Sequence, residues 1–251
     1  LFEIRDESGI AVLTLRYGKA NALDVAFCKA LRKEFRRLAK SETRAVILAA
    51  EGKIFSAGVD LPRAAEGGRK YLRDLVLALD EMYEEIFYFP KPVIAAVNGH
   101  AIAGGCVLAA CADYRLLASG TGRMGVTELL VGLPFPPFAF EVLRATTSPV
   151  HFPKFTASGE TFDTAGALAN GFADEAVSAE RLIPRALEKA RQLAAIRAEA
   201  FAANKLHMRI TARQILKSDR GRITKRIMKV WEAKETAENI RAYVSRTFKK
   251  Q

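Results

Sequence analysis

The chain has 251 residues, half of them apolar, with 39 Lys plus Arg against 28 Asp plus Glu for a formal charge of +11. A chain this long buries roughly 70–75% of its unfolded surface, so it needs neither disulfides nor a structural metal to hold a core, and disorder or a small secreted scaffold is excluded as its main state. The charge points to an anionic partner without saying whether that is nucleic acid, a membrane surface or a cofactor phosphate.

The N-terminal LFEIRDESGI lacks the basic segment, apolar segment and cleavage site of a secretory signal, so export is not expected. Residues 2–7 and 10–16 read as strands joined at Ser8-Gly9. After the loop YGKANALD, the apolar residues Phe27, Leu31, Phe35 and Leu38 recur at helical spacing, with Lys29, Lys33, Arg36 and Lys40 on the other faces. RAVILAA, residues 44–50, is a short apolar strand. An amphipathic helix over 69–89 carries Leu72, Leu75, Leu79 and Met82 and stops at Pro90 and Pro92.

Residues 92–112 contain 21 positions without an acidic or basic side chain, which is long enough for a membrane span. Asn98, Gly99, His100, Gly104 and Gly105 interrupt it, however, and divide it into a strand at 93–97, a Gly-rich turn and a buried helix near 104–112. A strand near 113–118 follows. Cys28, Cys106 and Cys111 have aliphatic neighbours and no CxxC spacing, which predicts reduced buried thiols in a cytoplasmic or organellar protein and no metal role.

Pro134, Pro136 and Pro137 break the chain before a helix at FAFEVLRATT, and residues 149–155 resume helical character. GETFDTAGALANGFADEAV, residues 159–177, reads as a turn, a helix over 163–169 with Gly171 as its C-cap, and a short strand. Beyond 180 only helices are expected. Leu182, Ile183, Ala186, Leu187, Ala190 and Leu193 mark one, and Ile223, Ile227, Trp231, Ile240, Tyr243, Val244 and Phe248 anchor the later ones. The expected organisation is an α/β core over 1–190 and a helical region over 191–251.

The charge is terminal: residues 197–251 hold 15 Lys plus Arg and 5 Asp plus Glu, a balance of +10, against +1 for the rest. Basic helices there could lean over a phosphate-bearing ligand or serve as solvated faces. RNA binding is disfavoured as a primary role because the region has no RNP aromatic motif, GxxG clamp or zinc finger.

Three segments could make one site. In GKIFSAGVDL, 52–61, Gly52 and Gly58 bracket a turn after a strand, which lets the amides around Ala57 point into a pocket. In NGHAIAGGCVLAAC, 98–111, Gly104-Gly105 opens a helix and exposes its first N–H groups. In MGVTELLVGLPFPPF, 124–138, Glu128 stands alone in an apolar run. It reads either as a buried carboxyl with a raised pKa, suited to carrying a proton, or as the solvent-facing start of a helix. His100 reads as a turn histidine, and Asp24 and Asp60 as helix caps.

FSAGVDL, NGHAIAGGCVLAACADYRL and GETFDTAGALANGFADEAV, in this order and spacing, resemble the enoyl-CoA hydratase/isomerase, or crotonase, family over nearly the whole chain. The resemblance implies a crotonase-like α/β core of repeated β-β-α units with a helical C-terminal region, a homotrimer or dimer of trimers, and an enzyme of fatty-acid metabolism acting on a coenzyme A thioester with no metal or prosthetic group. It assigns the oxyanion-hole amides to Ala57 and Gly104. Lys19, Ala22, Asp60 and Leu61 would surround CoA, and Tyr243, Arg246 and Lys249 would approach its adenine and phosphate end, from another subunit in some relatives.

Hydratases of this family use two glutamates, and here the first position is Val107 while the second is Glu128. A valine can neither accept a hydrogen bond nor move a proton. The pattern is therefore similar to 3-enoyl-CoA to 2-enoyl-CoA isomerases, in which one glutamate relocates a proton, and Val107, Val126, Phe135 and Phe138 would line the acyl pocket. The alternatives are an enoyl-CoA hydratase or another crotonase-type reaction, and, from a different class, a noncatalytic RNA-associated relative.

Overall fold

The computed structural model describes residues 1–120 and 122–248. Strands β1 (Phe2–Asp6) and β2 (Ile10–Leu15) form an antiparallel hairpin whose turn residues Ser8 and Gly9 both have positive φ. Helix α1 (Val25–Ala39) starts where Asp24 Oδ1 accepts the Phe27 N–H at 2.7 Å, and it buries the Phe27, Leu31, Phe35 and Leu38 stripe that the sequence predicts.

Three β-β-α units follow. The first is β3 (Ala45–Ala50), β4 (Ile54–Ser56) and helices α2 (Leu61–Glu66) and α3 (Gly68–Phe87). The second is β5 (Val93–Val97), β6 (His100–Ile102) and α4 (Gly104–Ala110). The third is β7 (Tyr114–Ala118), β8 (Met124–Gly125), a 3₁₀ turn over Glu128–Val131 and α5 (Pro137–Thr146). Then come α6 (Phe152–Ser158), β9 (Thr161–Phe162), α7 (Thr164–Ala169) and β10 (Glu175–Val177). Helices α8 (Leu182–Ala194), α9 (Ala198–Met208), α10 (Ile210–Trp231) and α11 (Lys234–Phe248) complete the described chain.

The first strand of each unit enters a six-stranded sheet of order β1-β2-β3-β5-β7-β10, parallel except for β1. Both faces are covered. Leu13, Leu48, Ala95 and Leu117 belong to the core that holds the buried faces of α1, α3, α4 and α5, while Ile10, Ile47, Ile94 and Leu116 pack with Leu182, Ala186 and Ala190 of α8. Double coverage is why AVILAA is apolar throughout and does not alternate.

The second strand of each unit enters a smaller sheet of order β4-β6-β8-β9, whose first three strands are parallel. Residues 54–56 and 100–102, read from sequence only as parts of Gly turns, are strands of this sheet. The segment at 163–169 is capped by Asp163, whose Oδ1 accepts the Gly166 N–H at 2.9 Å. Its C-cap is Asn170, with Gly171 one residue later at φ +75°, which corrects the expected cap by one position.

Candidate active site

The three units bring the carboxyl ends of β4, β6 and β8 side by side, so the turns after them, at 57–60, 103–104 and 127–128, meet at one edge of the small sheet. They line a cavity of about 370 Å³ that holds Ala57, Val59, Gly104 and Glu128. Glycine is needed at two contacts. A Cβ on Gly58, which has φ +80°, would come within 2.8 Å of the Ile102 carbonyl and 3.0 Å of the Gly104 nitrogen. A Cβ on Gly104 would lie 2.8 Å from the Tyr83 hydroxyl. The β4 and β6 turns are thus in van der Waals contact.

The loop 17–24 fixes the first turn. Asn21, itself at φ +45°, donates from Nδ2 to the Phe55 carbonyl at 3.1 Å, and Ser56 Oγ donates to the Asn21 carbonyl at 2.8 Å. The Ala57 N–H donates to the Ala20 carbonyl at 2.9 Å, and the Gly58 N–H to Ser56 Oγ at 3.2 Å. Among the described residues, no acceptor faces the Val59 N–H, although its neighbours Gly58 and Asp60 both bond to Leu23. The expectation for Ala57 is corrected on this ground: its amide is already committed within the loop, and the uncommitted amide of the turn is two residues later.

Gly104 opens α4 behind Ala103, which sits at φ +51°, ψ −128° as the N-cap. This turn is costly for a residue with a Cβ. It is held because the Ala103 N–H donates to Gly125 at 2.8 Å while the Ala103 carbonyl accepts from Cys106 at 2.8 Å. The Gly104 N–H itself has no acceptor among the described residues. Two uncommitted backbone donors therefore border one apolar cavity.

Glu128 is the first residue of its 3₁₀ turn and is buried, with Oε2 lacking any hydrogen-bond partner. Burial pushes its carboxyl up to about 8, and only its own backbone N–H pulls the other way. Both readings of the sequence thus hold in part: the residue begins a helical turn, yet its side chain faces the cavity. Asp60, the other carboxylate of the lining, caps α2 by accepting the Arg63 N–H at 3.1 Å.

Of the other residues singled out from sequence, Ala22, Leu61 and Tyr243 line the same cavity. Tyr243 does so from α11 of its own chain. Lys19 is exposed outside the lining, Arg246 is exposed with its guanidinium 5.8 Å from the Tyr243 ring, and Lys249 lies outside the described residues. The expected acyl pocket is corrected. Val107 and Val126 are packed in the main core, Phe138 rests edge-on against Phe87 and Tyr88 at 5.8 Å, and Phe135 lines a different cavity. The apolar lining instead comes from Leu79, Ile102, Val131, Leu133, Ala139 and Trp231.

Sequence reasoning also missed Tyr83, whose hydroxyl donates to the Gly104 carbonyl at 2.9 Å and whose ring lines the cavity. The only signal for it was a place on the buried face of α3 beside Leu79. The C-terminal charge is partly structural. Lys205 and Arg209 are buried against Asp113 at 2.7 and 2.9 Å, and Arg220 reaches Asp80 and Glu84 at 3.3 and 2.7 Å. Cys28, Cys106 and Cys111 are free and buried. Among the described residues no helix is long and apolar enough to cross a membrane, and no group of three or more His, Cys, Asp or Glu is placed to hold a metal ion.

Residues 5–250 match the model of the enoyl-CoA hydratase/isomerase family. The chain is 31% identical over 208 residues to the rat enoyl-CoA hydratase domain-containing protein 3, mitochondrial, covering 82% of this chain and 69% of that protein. An apo structure of a Mycobacterium tuberculosis enoyl-CoA isomerase superimposes with a TM-score of 0.78 at 28% identity, covering 96% of this chain and 97% of the other. Human mitochondrial delta3-delta2-enoyl-CoA isomerase has the same fold, with a TM-score of 0.93 at 23% identity over 100% of this chain and 99% of the other. The chain is thus a member of the enoyl-CoA hydratase/isomerase, or crotonase, family and an enzyme of its acyl-CoA chemistry.

Proposed function

We propose that the enzyme moves a double bond from the 3 to the 2 position of an acyl-CoA, with Glu128 as the proton carrier and the N–H groups of Val59 and Gly104 as the oxyanion hole. The observation that carries this reading is Glu128, the one buried carboxylate among the described residues of the lining, with an unpartnered oxygen in an apolar cavity bordered by two uncommitted amides.

In its ionised form Glu128 removes a proton from C2. The electron pair passes into the thioester, placing negative charge on its oxygen, and the two amides hold that charge. Donors of this type contribute about 3–4 kcal/mol each when they meet the developing oxyanion. The dienolate then takes the same proton back at C4, which leaves the double bond between C2 and C3 and returns Glu128 to its carboxylate. Nothing is added or lost. The desolvated site keeps bulk water from quenching the dienolate.

Hydration, the competing reaction, needs a second group to position water, and the position where hydratases carry it is Val107, an apolar residue buried in the core and outside the cavity lining. For the CoA moiety we assign the mouth formed by Ala22, Asp60, Leu61 and Tyr243, with exposed Lys19 and Arg246 as phosphate partners. We further infer a trimer or dimer of trimers, in keeping with the family, and a cytoplasmic or organellar setting suited to buried free thiols.

Incubating the purified enzyme with 3-enoyl-CoA should yield 2-enoyl-CoA. Binding of the thioester without product would sink the isomerase reading, and 3-hydroxyacyl-CoA formed from 2-enoyl-CoA would replace it with hydration.

A further inference from the structure

Behind the segment that holds Glu128 lies a second apolar cavity of about 430 Å³, lined by Leu129, Pro134, Phe135, Phe140, Ile223 and Ile227. The Glu128 cavity takes Val131, Leu133, Pro136 and Ala139 from the same stretch of chain and Trp231 from the same helix. Neighbouring residues of 129–140 therefore face one cavity or the other, so this stretch of chain separates the two. The polar members of the second cavity are satisfied away from it: Glu141 pairs with Arg144 at 3.3 Å, and Thr156 Oγ1 donates to the Phe152 carbonyl at 2.6 Å. What faces the void is hydrocarbon.

Trp231 closes this wall. Its indole is 2% exposed, and its Nε1–H donates to the Pro134 carbonyl at 2.9 Å. The indole lines the first cavity while Pro134 lines the second, so the bond pins the end of α10 to the partition between them. A large ring held at both ends by packing and a hydrogen bond is a rigid stop.

We propose that Trp231 sets the upper length of the acyl chain, and that the second cavity is a continuation of the acyl site which the Trp231–Pro134 contact shuts off. This rests on the acyl-CoA reading above and extends it to chain length. An acyl tail grows through the first cavity, gaining about fourfold in affinity per buried methylene, until its end meets the indole. Longer tails gain nothing. Truncating the ring joins the two cavities and admits the next methylenes to an apolar surface already built to receive them.

The test is calorimetric binding of CoA thioesters of saturated straight-chain acids of rising length, which bind but do not react. For the unmodified enzyme, affinity should climb with chain length and then break to a plateau. Trp231→Ala should move the break to longer chains, and adding Ile227→Phe, which refills the second cavity, should move it back. Leu133→Ala, which opens the wall from the same cavity as Trp231, serves if Trp231→Ala fails to fold, as judged by circular dichroism. An unmoved break in folded variants, or a shifted break that Ile227→Phe does not reverse, overturns the proposal and leaves the acyl-CoA reading standing. Absence of any binding by the unmodified enzyme overturns that reading itself.

Discussion

Tyr83 donates its hydroxyl to the Gly104 carbonyl at 2.9 Å, tying helix α3 to the first residue of α4 across the back of the cavity. The amide and the carbonyl of Gly104 belong to one turn, so the phenol fixes where the Gly104 N–H points. Burial holds the Tyr83 hydroxyl protonated, its pKa well above the ordinary tyrosine range, so the bond persists at every working pH. Tyr83→Phe keeps the ring and removes only the bond. We expect kcat to fall about tenfold, the worth of one buried hydrogen bond, with KM nearly unchanged. Equal losses in binding and turnover would show that Tyr83 only supports the fold.

Glu128→Gln should abolish turnover by a factor of about 10²–10⁴, the range for a positioned proton carrier, while thioester binding survives. Because the base must start ionised and its carboxyl is pushed up to about 8 by burial, kcat/KM should rise with pH and level off near that value. A profile that falls through the same range would make Glu128 an acid at the start of the cycle and favour a different reaction.

The same burial makes Glu128 a cost to the fold when ionised. The folded state holds the proton up to about pH 8, whereas the unfolded chain releases it near the ordinary 4.5, so between these values the native state binds more protons and stability declines as pH rises. Glu128→Gln removes that penalty without changing shape. The variant should unfold at a higher temperature than the parent at pH 8.5 and at nearly the same temperature at pH 4, a gap on the order of a few kcal/mol. Parallel curves across pH would show that the carboxyl is not desolvated.

Much of this was legible in the sequence. Helices α1 and α3 and the strands of the large sheet carry enough apolar positions to show a period or a run. The small sheet does not, because strands such as Ile54–Ser56 and Met124–Gly125 are two or three residues long and exist only through their pairing. At the site, Gly104 and Glu128 stood out by chemistry, a glycine at a helix start and an acid in an apolar run. The choice between Ala57 and Val59 depended on where the Ala20 carbonyl docks, which no local pattern records. Phe135 and Phe138 looked like pocket walls by size, but the prolines around them turn one ring toward the second cavity and the other into the core.

The two amides of the β4 turn can be told apart by chemistry at the backbone. Replacing the amide of residue 57 by an ester through protein ligation removes its bond to the Ala20 carbonyl and should lower stability by about 1 kcal/mol with turnover largely kept. The same replacement at residue 59 removes a donor with no partner in the described fold, so stability should hold while kcat falls by about 10²–10³. The reverse pattern would return the oxyanion role to Ala57.

Asp113 joins the C-terminal helices to the core. Its two oxygens receive Lys205 Nζ at 2.7 Å and Arg209 Nη2 at 2.9 Å, and Oδ2 also accepts the Val93 N–H at 2.9 Å. Both cations are buried, and Arg209 additionally lies over the Phe87 ring at 4.1 Å. Burial pulls the Lys205 ammonium down to about 8, and Asp113 opposes that shift by favouring the charged form. Asp113→Asn leaves two desolvated cations facing a neutral amide, and removing one partner of such a network costs about 3–5 kcal/mol. The expected result is a large drop in the denaturation midpoint together with protease cleavage appearing first in α9–α10, since the lost contacts are those that seat this region. A small loss of stability with no new cleavage would show that Phe87 and the surrounding carbonyls hold Arg209 without Asp113.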